Sequence, residues 1–199
     1  MDDTTRFENF KKTFIHEVGH FVSDLIIYEL IQDGKPHKII LREVFPNKFV
    51  GECNTLRRQK SKPKKYFPNN GVLYDFESSI TLLMGCFFQS IYSNNEYKNC
   101  FYSIDGNNDW VVFDTGRSFL NKAKDATREL IDKHYVLLLE SELSHKLQSF
   151  NFSKFYSLDT ILEFTYDELN AENEIINIKE ILKPLFLAFH EEIKTTPCE

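Results

Sequence analysis

The sequence has little glycine, 7 residues among 199, and no apolar run approaching the length of about 18 residues that a membrane span requires. Its four cysteines do not follow the spacing of metal ligands; they are Cys53, Cys86, Cys100 and Cys198. The first ten residues, MDDTTRFENF, are acidic and polar, unlike a signal peptide. From these absences we expect a cytoplasmic protein with free thiols and no membrane span.

Positive charge is also scarce, because the formal net charge is −6. This balance argues against nucleic acid as a partner of the whole surface. The exception is the segment 57–65, which carries six basic residues and no acid. It lacks interleaved aromatic side chains, so we interpret it as a mobile, solvated loop. The chain has no G-x-x-x-x-G-K-[ST] motif, so we expect no dependence on ATP.

Apolar and aromatic residues are abundant: 42% of the chain is hydrophobic, with 19 Phe and 9 Tyr. Residues 1–199 can therefore form one domain that buries a core without disulfides. The patterning predicts an α+β fold that is mainly helical, with a small strand pair against the first helix. Strands are predicted within 36–56, around a turn at Pro46-Asn47, and helices are predicted at 4–32, at 76–92, at 124–147 and, as a pair, over 158–193.

The segment FIHEVGHFVSDLI contains the pattern of a zinc enzyme. His16 and His20 are four residues apart, so on a helix they lie on one face and can bind the same zinc ion. Glu17 is adjacent and can take a proton from a water that zinc activates. The pattern predicts His16 and His20 as metal ligands and Glu17 as the catalytic base.

The same five residues can also occur by chance in an apolar helix. In that case His16 and His20 would be buried without partners, which is costly. Gly19 gives a second indication, because glycine inside a helix costs about 1 kcal/mol relative to alanine. We interpret Gly19 as a point where a strand or a substrate approaches closely.

A catalytic zinc usually has three protein ligands. Asp24 follows His20 by four residues, but it lies about 12 Å from His16 along a straight helix, which is too far for one metal ion. Asp24 remains a candidate to orient the ring of His20. The third ligand must therefore come from a distant part of the sequence.

Four blocks of the chain, in order, resemble the peptidase domain of FtsH, the ATP-dependent zinc metalloprotease. FIHEVGHFV resembles its H-E-A-G-H-A signature, and PHKIILREVFPNKFVGEC resembles the strand pair that follows. ITLLMGCFFQSIY resembles its I-x-x-L-L-G-G-R helix, and DGNNDWVVFDTGRSFL resembles its G-A-S-N-D-L-x-x-A-T block. Including a stretch similar to the family's long C-terminal helix, the resemblance covers about residues 5–147.

The resemblance implies that Asp109 is the third zinc ligand beside His16 and His20. A carboxylate near a helix N-terminus is also held ionised by the exposed N–H groups. The alternative is that Asn108 or Asp109 only caps a helix beginning at Trp110. The family's ATPase module and membrane anchor have no counterpart here, so neither ATP-driven unfolding nor the family's hexamer is carried over.

We therefore predict a soluble zinc metalloendopeptidase with Zn²⁺ as its cofactor and a peptide or an unfolded protein as its substrate. The alternative is a metal-binding interaction module of the same fold that has no turnover. We interpret His134 and His145 as surface residues of a long helix, and Cys86 as a core residue rather than a nucleophile.

Overall fold

The computed structural model describes residues 3–32, 34–56, 72–101, 106, 109 and 124–195. The helices and strands in chain order are α1 (Asp3–Ile31), β1 (Lys35–Phe45), β2 (Lys48–Leu56), α2 (Val72–Ser93), α3 (Tyr97–Phe101), α4 (Lys124–Glu140), α5 (Glu142–Gln148), β3 (Ile161–Thr165), α6 (Tyr166–Ala171) and α7 (Asn173–Thr195). The predicted class, α+β and mainly helical, is confirmed. No helix within these ranges combines the length and apolarity needed to cross a membrane.

Helix α1 is the centre of the molecule. Its apolar side chains recur at helical spacing, and most of them are completely buried between the sheet and α2. The fully buried members include Phe10, Phe14, Ile15, Val18, Phe21 and Val22. The predicted helix over 4–32 is confirmed, and its buried middle carries the HEVGH segment.

Helices α1 and α2 pack closely at Gly19. A Cβ atom on Gly19 would lie 2.8 Å from the carbonyl carbon of Met84 and 3.0 Å from the amide nitrogen of Gly85. The close neighbour is therefore the backbone of α2, not the strand or the substrate that we expected. This crossing sets the segment around Gly85 directly against the histidine face of α1.

Substitution of Gly19 by Ala is expected to destabilise the protein by about 1–3 kcal/mol, because the added methyl group overlaps the backbone of α2. The change gains about 1 kcal/mol of helix propensity, which is too little to compensate. Urea denaturation measures the difference, and Lys12→Ala at an exposed position of α1 is the control. A Gly19→Ala variant as stable as the parent would contradict this close crossing.

The sheet has three antiparallel strands in the order β2-β1-β3. The turn between β1 and β2 contains Pro46 and Asn47, as predicted, and Asn47 has a φ of 64°, a conformation that asparagine tolerates. Leu41 is fully buried and pairs with Gly51 on one side and Leu162 on the other. This register places Gly51 in the strand next to α1.

The prediction of two helices over 158–193 is wrong at its beginning, because Ile161–Thr165 forms β3. Leu162 and Phe164 turn inwards while Ile161 and Glu163 are exposed, which is the two-residue period of a strand. After β3 the region forms two helices, α6 and α7, as predicted. Pro184 lies inside α7.

The predicted helix over 124–147 is divided at Ser141. The side chain of Ser141 accepts a hydrogen bond from the amide of Leu143 and so caps α5.

His134, predicted to be a surface residue, is only 2% exposed, because its ring stacks on Phe189 of α7 at 4.4 Å. His145 is exposed and Cys86 is buried, as predicted. The basic segment 57–65 and the helix predicted to begin at Trp110 lie outside the described residues.

Candidate metal centre

Helix α1 presents His16 and His20 side by side at its crossing with α2. They are 1% and 8% exposed, and their Nε2 atoms are 3.0 Å apart. The helical repeat alone brings the two rings to the same face. Two imidazole nitrogens thus point at one small volume inside the protein.

Asp109 completes a triangle of ligand atoms around this volume. Its Oδ2 atom is 2.9 Å from Nε2 of His16 and 3.1 Å from Nε2 of His20. The backbone of Asp109 is helical, whereas an N-cap residue has a non-helical backbone, so the capping alternative is disfavoured. The structure therefore brings together the three residues that were predicted to bind the metal.

The other nitrogen of each ring lies against a hydrogen-bond acceptor. Nδ1 of His16 is 2.9 Å from Oε1 of Gln89, and Nδ1 of His20 is 2.9 Å from the carbonyl oxygen of Thr81. Both partners accept hydrogen bonds, so Nδ1 is the donor in each ring. In the neutral imidazole Nε2 then has the free lone pair that a metal ion can bind. The orienting partner of His20 is thus a carbonyl of α2, not Asp24 as we had considered.

This arrangement needs a positive charge in its middle, because two lone pairs and a carboxylate oxygen face one another. Burial by itself lowers the pKa of His16 and of His20, but Asp109 reverses the effect and raises the pKa of both above its ordinary value. Burial by itself raises the pKa of Asp109, but the two histidines lower it well below its usual range. The raised pKa of each histidine and the lowered pKa of Asp109 all describe a site that attracts a cation, either a proton or a metal ion.

The backbone of α2 lies directly against the triangle at Gly85. A Cβ atom on Gly85 would lie 2.6 Å from Cε1 of His20 and 2.7 Å from Nε2 of His16. The three ligand atoms are separated by 2.9–3.1 Å. Tetrahedral bonds of about 2.0–2.1 Å place ligand atoms about 3.3 Å apart, so a small relaxation accommodates zinc. Two nitrogens and one carboxylate oxygen are a donor set that fits a catalytic zinc.

Glu17 is held beside the histidines by strand β2. It is 5% exposed, and a Cβ atom on Gly51 would lie 2.7 Å from its Cδ atom. Its negative charge contributes to the raised pKa of both His16 and His20. The absence of a side chain at Gly51 thus allows the strand to confine a buried carboxylate next to the two imidazoles.

Gln89 was not among the predicted residues, although it holds His16 in place. Replacing Gln89 by Leu is expected to weaken zinc binding by about 10–100-fold, because the ring of His16 loses the acceptor that fixes its orientation and tautomer. Competition with a chromophoric chelator measures the affinity, and Gln148→Leu at an exposed site of α5 is the control. Equal affinity of the Gln89→Leu variant and the parent would show that the contact does not position His16.

Comparison of the chain with protein-family models, with curated proteins and with solved structures gave no match in any of the three. The interpretation of this centre therefore depends on its geometry and on the resemblance of the four sequence blocks.

Proposed function

We propose that the protein is a zinc-dependent metalloendopeptidase, as the resemblance to the FtsH peptidase domain implies. The observation that carries the proposal is the convergence of three ligand atoms, from His16, His20 and Asp109, within 3.1 Å of one another. A structural helix has no need for two buried imidazoles that face a partly buried carboxylate. The adjacent Glu17 adds the proton acceptor that peptide hydrolysis requires.

Each residue has a distinct role in the proposed reaction. His16, His20 and Asp109 would hold zinc, which supplies Lewis acidity for the peptide carbonyl and for the attacking water. Glu17 accepts a proton from the water as its oxygen forms a bond to the carbonyl carbon. Glu17 then gives this proton to the nitrogen of the leaving amine as the C–N bond breaks. Strand β2 keeps the carboxylate in place for both transfers.

The outer edge of β2 supports a peptide as the substrate. Within the described residues, β2 pairs only with β1, so its other edge has no neighbouring strand. An extended peptide can pair with such an edge through main-chain hydrogen bonds. A peptide bound there would pass Gly51, and so would lie next to Glu17. Only an extended chain fits this mode of binding, which favours flexible or unfolded proteins as substrates.

The test is hydrolysis of a fluorogenic peptide library and of casein by metal-free protein reconstituted with one equivalent of zinc. We expect cleavage without ATP, loss of cleavage when a chelator removes zinc, and recovery when zinc is restored. Addition of ATP should change nothing. Stimulation by ATP in a pure preparation would contradict the account.

Two other outcomes would separate the alternatives. A protein that binds one zinc through His16 and His20 but cleaves no peptide is the metal-binding interaction module without turnover. A protein that binds no zinc, or whose His16→Ala and His20→Ala variants bind zinc as tightly as the parent, carries the HEVGH segment by coincidence.

A further inference from the structure

A second group of potential ligands lies behind His16, on the side of its Nδ1 atom. Cys86 of α2 is 0% exposed and Cys100 of α3 is 5% exposed. One ligand atom from each of His16, Cys86 and Cys100 lies within 4.8 Å of the others, and Sγ of Cys100 is 3.8 Å from Nδ1 of His16. The spacing of the cysteines in the sequence gave no indication of this cluster, because it is assembled from three helices.

We propose that Cys86, Cys100 and Nδ1 of His16 form a second metal site, selective for a soft divalent cation such as Cd²⁺. Thiolate sulfur prefers soft cations, whereas the His16, His20 and Asp109 set has no sulfur. As the bonds to the metal form, each thiol releases its proton to solvent. The proton on Nδ1 of His16 is also released, and Nε2 takes up a proton from solvent, so the imidazole stays neutral. The two thiolate charges balance the charge of a divalent cation, so the buried group is neutral overall, which avoids the cost of an unpaired buried charge.

The surroundings of the thiols fit a compact site. A Cβ atom on Gly106 would lie 2.6 Å from Sγ of Cys86 and 2.8 Å from the carbonyl carbon of Cys100, so only glycine allows the chain to cover them this closely. Oε1 of Gln89 accepts hydrogen bonds from Sγ of Cys100 at 3.3 Å and from Nδ1 of His16 at 2.9 Å. One amide oxygen thus contacts two of the three proposed ligands. A bound cation would replace this oxygen between Sγ of Cys100 and Nδ1 of His16.

The two sites compete for His16. This competition rests on the proposed zinc centre, but the thiolate site itself does not rest on it. A neutral imidazole has a lone pair on only one of its nitrogens. His16 can therefore use Nε2 with His20 and Asp109, or Nδ1 with Cys86 and Cys100. A soft cation held by the thiols would remove one ligand from the zinc centre and so inhibit the proposed peptidase.

The experiment uses the full chain with Cys53→Ser and Cys198→Ser, so that Cys86 and Cys100 are the only thiols. Metal-free protein is titrated with Cd²⁺ while thiolate-to-cadmium charge-transfer absorption is recorded in the ultraviolet. We expect the band to saturate at one equivalent, and to be lost in Cys86→Ser and in Cys100→Ser. Circular dichroism checks the fold of each variant. If Cys86→Ser does not fold, the loss of the band in Cys100→Ser is the test of the site.

Adding His20→Ala to this background distinguishes the second site from the first. This variant lacks a ligand of the zinc centre, so it should have no peptidase activity, yet it should keep the cadmium band at one equivalent. Prebound zinc should delay the band more in the parent than in His20→Ala, because only the parent has the complete zinc centre that holds Nε2 of His16. Absence of the band in both proteins, or its persistence in Cys100→Ser, would overturn the thiolate site. Binding of one zinc and one cadmium together would overturn the competition for His16.

Discussion

Replacement of Glu17 by Gln is expected to lower peptide hydrolysis by about 10²–10⁴-fold, the usual contribution of a general base, while zinc remains bound. The amide has the size of the carboxylate and fits the same buried position beside Gly51. It cannot accept the proton of the attacking water, so bond formation to the carbonyl carbon loses its base. The loss should fall on kcat/KM for every peptide, because the proton transfer does not depend on the side chains of the substrate.

The matched control is Glu8→Gln, which makes the same chemical change on an exposed face of the same helix. This control should keep the activity of the parent. Zinc content measured on both variants ensures that a loss of activity is not a loss of metal. A Glu17→Gln variant that is fully loaded with zinc and cleaves peptides as fast as the parent would show that Glu17 is not the base.

The second large effect is expected from Asp109→Asn. Oδ2 of Asp109 is 2.9 Å and 3.1 Å from the two histidine nitrogens, and the substitution replaces this anionic oxygen with a neutral one. The affinity for zinc should fall by more than the roughly 10–100-fold that loss of an outer-shell partner costs. Most of the peptidase activity should be lost with the metal, although the protein should still fold.

The same substitution tests the capping alternative, because Asn caps a helix about as well as Asp. If Asp109 were only a cap, Asp109→Asn would leave both the free energy of unfolding and zinc binding nearly unchanged. Asp167→Asn, in the exposed first turn of α6, is the control for the charge change. Zinc affinity by chelator competition, with urea denaturation on the same samples, separates a ligand from a cap.

The parts of the molecule that follow from local geometry were predicted well. The helix that carries His16 and His20 and the hairpin of β1 and β2 depend on short-range periodicity and on turn residues, which the sequence shows directly. Strand β3 was missed because five residues carry too little periodicity, and because Ile161–Thr165 becomes a strand only by pairing with β1. Long-range pairing has no local signal in the sequence.

The surroundings of the candidate site were harder to predict than its ligands. Thr81 holds His20 through a backbone carbonyl, so no side chain could have identified it. Gln89 follows Gly85 by four residues and therefore lies on the same face of α2, a signal that becomes useful only once Gly85 is known to face the histidines. Asp109 is far from His16 in the sequence, and only the resemblance to a known block singled it out.

The central claim is that one zinc ion binds between His16, His20 and Asp109. The most direct test is a crystal structure of the zinc-reconstituted protein with an anomalous difference map collected at the zinc edge. The account predicts one peak, about 2.0–2.2 Å from Nε2 of His16, from Nε2 of His20 and from a carboxylate oxygen of Asp109. A map without a peak, a peak between Cys86 and Cys100 alone, or a peak more than about 3 Å from the Asp109 carboxylate would contradict it.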